Sequence, residues 1–383
     1  MIRALLEQKR IVVCVGPGGV GKTTTSAAIG ALAARQGRRT LVCTIDPAPR
    51  LADALGQDQL GAEPRPVPRE ACRALGIADS PGGEDRLFAV RLDTERTFAR
   101  LVDAEVADEQ MRRRIFDNTI YRQITTSLTG SQEYAATLAL HDFAGDGRFD
   151  LVVLDTPPTA NALDFLDAPR RIASAVDSPA LKWFARPSEK VGRFSLQRLR
   201  SGGALVLRRM AKLVGSRFLD DVSAFLVDFQ QVLAGFLARA HAVERLLRGA
   251  DVAFLLVLVP AVAAVDEALY FHDQLREAGI PLGGFVANRV QPAPGLVDAA
   301  AIAAALGSAP AYAGLAREVI DDAAGRLAPI VAARGALYRS ERRELARLTA
   351  RAPDVAITEV PLLDHDVDNL SELRAVGDFL LAG

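Results

Sequence analysis

The strongest chemical signal in the chain is the stretch from Gly16 to Thr24, GPGGVGKTT. It fits the spacing G-x-x-x-x-G-K-[ST], with Gly16, Gly21, Lys22 and Thr23 in the fixed places. Glycines let the backbone curl so that successive N–H groups point at phosphate oxygens, because a Cβ would block the approach or the required φ. In such a loop the lysine reaches the β- and γ-phosphates and the threonine hydroxyl binds Mg²⁺. The stretch therefore predicts a phosphate-binding loop.

The residues on both sides of the loop have the pattern that this interpretation needs. Ile11 to Val15 (IVVCV) is a short apolar run rich in β-branched residues, which is typical of a buried strand. Thr23 to Arg35 is rich in alanine and other helix formers, and Gly37 follows as a stop signal. A strand, a glycine loop and a helix in this order place the phosphates at the positive end of the helix dipole.

Two carboxylates follow predicted strands. The predicted strand from Thr40 to Ile45 is followed by Asp46, and the predicted strand from Leu151 to Leu154 is followed by Asp155. Ligands of open α/β sheets bind at the carboxyl ends of the strands. We therefore expect Asp155 to hold Mg²⁺ through water opposite Thr23, and Asp46 to orient the attacking water or to support the ion. The alternative for Asp46 is a turn or capping carboxylate in front of a proline.

Strands and helices alternate along the rest of the chain. Further strands are predicted at 87–92, 251–259, 281–290 and 355–360. This alternation predicts an α/β fold, with a mostly parallel, doubly wound P-loop NTPase sheet covered by helices on both faces. The predicted division is a core of 1–165 and 249–383, a helical insertion of 166–248, and a further helical segment at 296–351.

The composition is ordinary for a globular protein. The chain has 383 residues, of which 50% are hydrophobic and 24% charged, with a net charge of −1. This balance argues against nucleic acid as a partner. The first ten residues lack the apolar core of a signal peptide, and the apolar run from Val252 to Val265 is too short to span a bilayer. We therefore expect a cytoplasmic protein. Cys14 and Cys43 lie in predicted strands, where cysteine acts as a small hydrophobe.

The predicted insertion differs from the core in its pattern of basic and apolar residues. Basic residues from Lys182 to Arg217 alternate with leucine and phenylalanine, and 222–247 reads as a long apolar helix. Such a surface could hold an apolar client, contact a membrane or bind an acidic partner. An ordinary packing face with a solvated basic side explains the pattern equally well, and both interpretations stay open.

Several motifs in a fixed order resemble the ArsA-like ATPases, a family with arsenite-pump ATPases and the ATPases that target tail-anchored membrane proteins. These proteins belong to the dimeric P-loop class that also holds the ParA/MinD proteins and the nitrogenase iron protein. The resemblance covers nearly the whole chain. It includes a helical insertion after the segment that begins at Asp155, which corresponds to the second of the two nucleotide-responsive switch segments of the family. The motifs that carry it are GPGGVGKTT, TIDPAPRLADALG, LDTPPTANALDFL, VANRV and EVPLLDHDV.

The resemblance implies a role for each matching position. Asp46 lies where the first switch has its catalytic, water-activating carboxylate, and Asp155 matches the second-switch carboxylate near Mg²⁺. Asn288 matches the residue that reads adenine, and Pro361 lies in the loop that lines the base. ATP is also favoured over GTP because no [NT]-K-x-D sequence is present. The residues that the resemblance assigns to the phosphates and Mg²⁺ are Gly18, Gly19, Val20, Gly21, Lys22, Thr23 and Thr24, and Lys22 is also expected to act in catalysis.

The sequence departs from the family pattern at two positions. The family loop carries a lysine that crosses a dimer interface to the partner's phosphates, and Pro17 stands in its place. A proline has neither a donor nor a charge, so tight ATP binding with slow hydrolysis is expected. The first switch reads DPAPRL, where the family commonly has DPAHSL, so Arg50 is unusual at its position. We consider the hypothesis that Arg50 partly replaces the missing lysine.

The resemblance also bears on partners. A homodimer is expected. The insertion is expected to hold a hydrophobic client or a membrane-protein partner. Any association of the protein with a membrane would then be peripheral. Direct arsenite binding is argued against because residues 151–383 contain no cysteine, and soft As(III) prefers thiolates. Three alternatives remain: a nucleotide-gated binding module with little turnover, a ParA/MinD-like positioning ATPase, and a subunit of metalloid transport.

Overall fold

A computed structural model describes residues 1–80, 82–119, 121–122, 125, 131–156, 232, 235, 238–295 and 298–382. The chain divides into two compact units. The first comprises Met1–Val90, Arg148–Ala162 and Ala250–Gly383, and the second comprises Arg91–Gly147 and Leu163–Gly249. Among the helices of the described part, none combines the length and the apolar composition needed to cross a membrane.

The first unit is built on an eight-stranded sheet with the order β3-β4-β2-β5-β1-β6-β7-β8. Strand β1 pairs in parallel with β5 and β6, β5 with β2, β6 with β7, and β7 with β8, whereas β3 pairs antiparallel with β4. The strands are β1 Ile11–Val15, β2 Thr40–Thr44, β3 Arg65–Pro66, β4 Leu87–Arg91, β5 Leu151–Asp155, β6 Val252–Leu258, β7 Leu282–Val290 and β8 Ile357–Pro361.

The central strands are buried along their whole length. Every residue of β1, β2, β5 and β6 is inaccessible to solvent. A parallel strand covered on both faces selects a continuous apolar run rather than an alternating one, which explains sequences such as IVVCV and VAFLLVL. The predicted α/β class is confirmed, and the predicted strands agree with the structure to within two residues at each end.

Helices cover the sheet of the first unit. Helix α2 is rich in alanine, and it approaches β2 so closely that a Cβ on Gly30 would lie 2.3 Å from a methyl carbon of Val42. Its position is therefore fixed by small residues. The helices of this unit are α1 Ile2–Gln8, α2 Lys22–Arg35, α3 Arg50–Ala54, α4 Arg69–Ala74, α8 Val262–Glu277, α9 Ala299–Ser308, α10 Arg317–Arg351 and α11 Leu370–Ala382, with a 3₁₀ turn at Pro310–Tyr312.

The described part of the second unit is helical. It contains α5 Thr94–Glu105, α6 Glu109–Asp117, α7 Ser131–Gly145 and helical residues 238–247. Asp93 begins α5 by accepting a hydrogen bond from the Arg96 amide at 3.0 Å, which satisfies one of the unpaired donors of the first turn. Arg239 lies 3.8 Å from Glu105 and 3.7 Å from Asp142, so it links α5 and α7 to the helical residues that follow.

Two features of the sequence prediction need comment. The antiparallel strand β3 was not predicted, because residues 57–85 are rich in proline, glycine and charge and therefore read as a loop. Most of the predicted insertion, 166–248, including the basic stretch, lies outside the described residues. The insertion and its boundaries stay predictions.

Candidate functional site

The loop between β1 and α2 is shaped by two glycines that meet neighbouring strands. Gly16 has a φ of +147°, and a Cβ there would lie 2.1 Å from the Val257 carbonyl oxygen of β6. Gly21 has a φ of +95°, and a Cβ there would lie 2.2 Å from Nδ2 of Asn288 at the end of β7. Both the backbone conformation and the lack of space demand glycine. The loop is thus held against the carboxyl ends of two adjacent strands.

Lys22 begins α2 and is almost completely buried, with 6% of its surface exposed. Its Nζ donates to the carbonyl oxygens of Gly16 and Pro17, each at 2.8 Å. Burial lowers the pKa of Lys22, and the Asp155 carboxylate opposes this shift. The ammonium group is therefore held inside the curve of the loop, where a lysine of this motif neutralises phosphate charge.

Asp155 ends β5 and is 1% exposed. Its Oδ2 accepts hydrogen bonds from the Thr23 hydroxyl at 2.8 Å and from the Thr44 hydroxyl at 3.1 Å. Burial raises the pKa of Asp155 to about 6, against the opposing effect of these two bonds and of Lys22. Its second oxygen, Oδ1, is buried without a hydrogen-bond partner. A buried carboxylate oxygen with no partner is costly unless it serves a ligand.

The donor set fits Mg²⁺. This ion prefers oxygen ligands and is usually held by one or two protein groups together with phosphates and water. Thr23 supplies a hydroxyl, and Asp155 supplies a carboxylate oxygen that lacks another partner. Across the residues that the structure covers, no cluster of three or more His, Cys, Asp or Glu side chains could hold a metal by itself. A magnesium ion would therefore depend on the phosphates for part of its coordination.

Asp46 follows β2 and lines the same cavity. Its Oδ1 accepts from the Ala48 amide at 2.9 Å, and its own amide donates to the Thr44 hydroxyl at 3.2 Å. Arg50, the first residue of α3, places Nη1 3.7 Å from Asp46 Oδ2, with 63% of the arginine side chain exposed. The turn that the sequence offered as an alternative for Asp46 is thus present, and Oδ2 remains directed toward the arginine.

A cavity of about 590 Å³ opens beside the loop. It brings together predicted residues from the loop and the first switch with residues that were not predicted. Its lining consists of Gly19, Gly21, Lys22, Thr23, Thr24, Asp46, Arg50, Asp53, Ala54, Thr156, Arg289, Val367 and Asp368.

The residues missed by the sequence analysis differ in how well they could have been found. Thr156 and Arg289 directly follow the predicted positions Asp155 and Asn288, so extending each motif by one residue would have included them. Val367 ends the motif EVPLLDHDV and Asp368 directly follows it, in the segment between β8 and α11, but neither residue was assigned to the site. Such residues depend on the path of a loop, which local sequence does not determine.

The two residues predicted to contact the base do not line the cavity. Asn288 uses its amide within the protein, since Nδ2 donates to the Val20 carbonyl at 2.8 Å and Oδ1 accepts from the Arg289 amide at 2.9 Å. Pro361 ends β8, where it pairs with Val290. Asn288 therefore braces the glycine loop. The base-reading role of both residues stays a prediction.

The parallel sheet, the glycine loop that enters α2, and the carboxylates at the strand ends define a P-loop NTPase. The profile of the family described as anion-transporting ATPases matches residues 9–304. The chain belongs to this ArsA-type ATPase family, whose members use ATP together with a metal ion.

Three relatives show the range of the similarity. A Prosthecochloris vibrioformis protein provisionally named an arsenical pump-driving ATPase is 32% identical over 184 residues, which are 47% of this chain and 41% of that protein. ATPase GET3C of Arabidopsis thaliana is 23% identical over 292 residues, 75% of this chain and 68% of that protein. ATPase ARSA1 of Chlamydomonas reinhardtii is 25% identical over 298 residues, 72% of this chain and 34% of that protein. The chain spans well under two thirds of the length of the first and third relatives.

Proposed function

We propose that the chain is a Mg²⁺-dependent switch protein that binds and slowly hydrolyses ATP. The observation that carries this proposal is the buried network of Thr23, Thr44 and Asp155 beside Lys22. It leaves one carboxylate oxygen, Asp155 Oδ1, buried without a protein partner at the end of a central strand. A structural role for this carboxylate would have satisfied both oxygens, whereas a metal-phosphate ligand explains the unpaired one.

The residues around the loop have separate tasks in hydrolysis. The loop amides and Lys22 bind the phosphates and stabilise the charge that develops on them. Asp46 holds the attacking water, because it lines the cavity and the turn at Ala48 uses only its Oδ1. Bound Mg²⁺, held by Thr23 and Asp155, supplies further neutralisation of the phosphate charge.

Slow turnover follows from Pro17 and from the contact between Arg50 and Asp46. Pro17 contributes its carbonyl oxygen to Lys22 and can donate nothing to a phosphate. Arg50 lies within 3.7 Å of the carboxylate that would orient water, so the arginine competes with that water for the same oxygen. These contacts also favour the second candidate function, a nucleotide-gated binding module with little turnover.

The expected partners follow from the family. Two copies of the chain form a homodimer, and ATP binding changes the position of the switch segments that contain Asp46 and Asp155. This movement opens or closes the helical insertion around a hydrophobic client or a membrane-protein partner, and the protein works in the cytoplasm. The relatives include a protein named as a pump-driving ATPase and one named GET3C. The two forms of the proposed function to compare are therefore a transport subunit and a targeting factor.

The test is ATP hydrolysis by the purified protein with Mg²⁺, with the wild type measured beside Lys22→Ala and Asp46→Asn. We expect slow phosphate release that falls at least tenfold in each variant, because each removes a group that acts on the phosphates or the water. Asp58→Asn, at an exposed position outside the cavity, serves as the control and keeps wild-type turnover. Sizing in ADP and in ATP with Mg²⁺ reports the dimer.

Two results would contradict the proposed ATPase. ATP binding with no turnover above that of Lys22→Ala would favour the binding module. No ATP binding by the wild type at millimolar concentration would reject both functions, since both need an occupied loop.

A further inference from the structure

Arg289 stands out by its backbone. It is the one non-glycine residue in the described chain with a positive φ, at +55°. Left-handed backbone is unfavourable for a residue with a long side chain and persists where the surroundings impose it. The amide of Arg289 is held by Oδ1 of Asn288 at 2.9 Å, and Nδ2 of Asn288 is held by the loop carbonyl of Val20. The strained conformation is thus fixed to the glycine loop.

The same residue lies in a β-bulge. In the pairing of β7 with β8, Ala287 faces Glu359 and Val290 faces Pro361. Three steps along β7 therefore match two steps along β8, and the extra residue falls at 288–289. Bulges next to functional sites turn a side chain away from the direction that the regular strand would give it. Here the bulge turns Arg289 toward the cavity, which it lines.

The guanidinium group is exposed and only loosely held. Its Nη1 donates to the Gly19 carbonyl at 3.4 Å, near the upper limit for a hydrogen bond. A single long bond from an exposed arginine is a weak reason to maintain a strained backbone. The position is better explained by a ligand that arrives in the cavity beside Gly19.

The charges around the cavity indicate what that ligand is. Lys22 is directed at loop carbonyls, and Arg50 faces Asp46. Two further carboxylates, Asp53 and Asp368, also line the cavity. A nucleotide with several phosphates needs additional positive charge here, and the planar guanidinium donates two parallel hydrogen bonds to phosphate oxygens.

We propose that Arg289 binds the phosphate chain of the nucleotide within the same subunit and supplies a cation that Pro17 cannot. The proposal rests on the proposed function, because it assumes that the cavity receives a nucleotide. It differs from the earlier hypothesis for Arg50, which forms its ion pair with Asp46 instead. Arg289 is thus a further substrate-contacting residue at this site.

The experiment is nucleotide binding measured by calorimetry with ATP, ADP and AMP in the presence of Mg²⁺. The test variant is Arg289→Asn, because asparagine tolerates left-handed backbone and removes the cation without adding strain. Arg289→Lys keeps a positive charge, and Arg3→Asn changes an exposed arginine of α1, outside the cavity. We expect Arg289→Asn to weaken ATP and ADP about tenfold or more and AMP less, with Lys restoring part of the loss.

Equal affinities of wild type and Arg289→Asn for ATP and ADP would overturn the proposal while leaving the proposed function intact. No binding by the wild type would overturn both. A purely structural brace on Gly19 predicts another pattern: a lower unfolding midpoint for Arg289→Asn without nucleotide, and the same loss for all three nucleotides. That pattern would also overturn the proposal, so unfolding of each variant is measured without nucleotide.

Discussion

Gly16 and Gly19 belong to one loop, yet different constraints act on them. Gly16 meets the backbone carbonyl of Val257, which cannot move without disturbing β6, whereas a Cβ on Gly19 meets nothing within 4 Å. Both residues have a positive φ, +147° for Gly16 and +76° for Gly19. Gly19 therefore needs glycine for its backbone conformation alone, and Gly16 needs it for space as well.

This difference predicts unequal costs for alanine. Gly19→Ala should lower the free energy of unfolding by about 1–2 kcal/mol, the cost of left-handed backbone for a residue with a Cβ. Gly16→Ala should lower it by about 3 kcal/mol or more, because the strand must also shift. Urea unfolding of the two variants measures both values. Equal losses would show that β6 yields easily at Val257.

Asp155 predicts a pH dependence of stability. Burial raises its pKa in the folded protein to about 6, above the ordinary value near 3.9 that applies to the unfolded chain. The folded state therefore favours the protonated form, and the stabilisation from this group is complete below about pH 3.9 and is lost as the pH rises through 6. The shift corresponds to about 3 kcal/mol between the two limits.

Asp155→Asn removes this dependence because the amide does not titrate. With EDTA and without nucleotide, the stability of the wild type relative to the variant should fall by about 2 kcal/mol between pH 4 and pH 7, because the carboxyl of the unfolded chain is already about half ionised at pH 4. Comparing the slopes avoids the separate cost of burying an amide NH₂ where Oδ1 lies. Denaturant unfolding across this pH range is the measurement, and a constant difference between the two proteins would contradict the assigned burial.

At the scale of elements, α10 is joined to the strand that carries Asn288 and Arg289. Glu341, 7% exposed, lies in the C-terminal half of this long helix and accepts from the Gln291 amide, just after β7, at 2.7 Å. Arg342 and Arg347 tie the same half to Glu359 and Asp266. The C-terminal half of α10 is thus anchored to Gln291, the residue that directly follows β7.

Removing this anchor should loosen α10. Glu341→Ala leaves the Gln291 amide without its acceptor and should lower the free energy of unfolding by about 1–3 kcal/mol. Glu341→Gln keeps an acceptor oxygen and should cost less than about 1 kcal/mol. Glu318→Ala, at the exposed start of the same helix, is the control. Urea unfolding measures the free energy of unfolding of the three variants. If Glu341→Ala loses no more stability than Glu318→Ala, the contact between Glu341 and Gln291 does not stabilise the fold.

The elements were predictable where a local pattern determines them. Buried parallel strands require continuous apolar runs, so β1 and β6 could be read from their residues. The strand β3 and the bulge at 288–289 depend on pairing with distant segments, and no local pattern indicates them. The site followed the same rule, since the glycine loop was readable and the contribution of Asp368 was not.

At the scale of the whole molecule, the family profile matches most of the chain, from residue 9 to residue 304. The alignments with single relatives cover smaller shares, between 47% and 75% of this chain for the three relatives named above. The matched family region ends at residue 304, before α10 begins. The long helix and the cavity residues Val367 and Asp368 therefore lie in the part that the family match does not reach.

The shortest strand has a consequence for behaviour at high concentration. Strand β3 closes one side of the sheet with only Arg65 and Pro66, both exposed, and β8 closes the other side with Glu359 and a terminal Pro361. Unpaired backbone at a sheet margin invites strands of other molecules, and proline and charge at that margin oppose such pairing. Crowded copies of this protein should therefore resist fibre formation through their sheets, and any association between them should use helical surfaces.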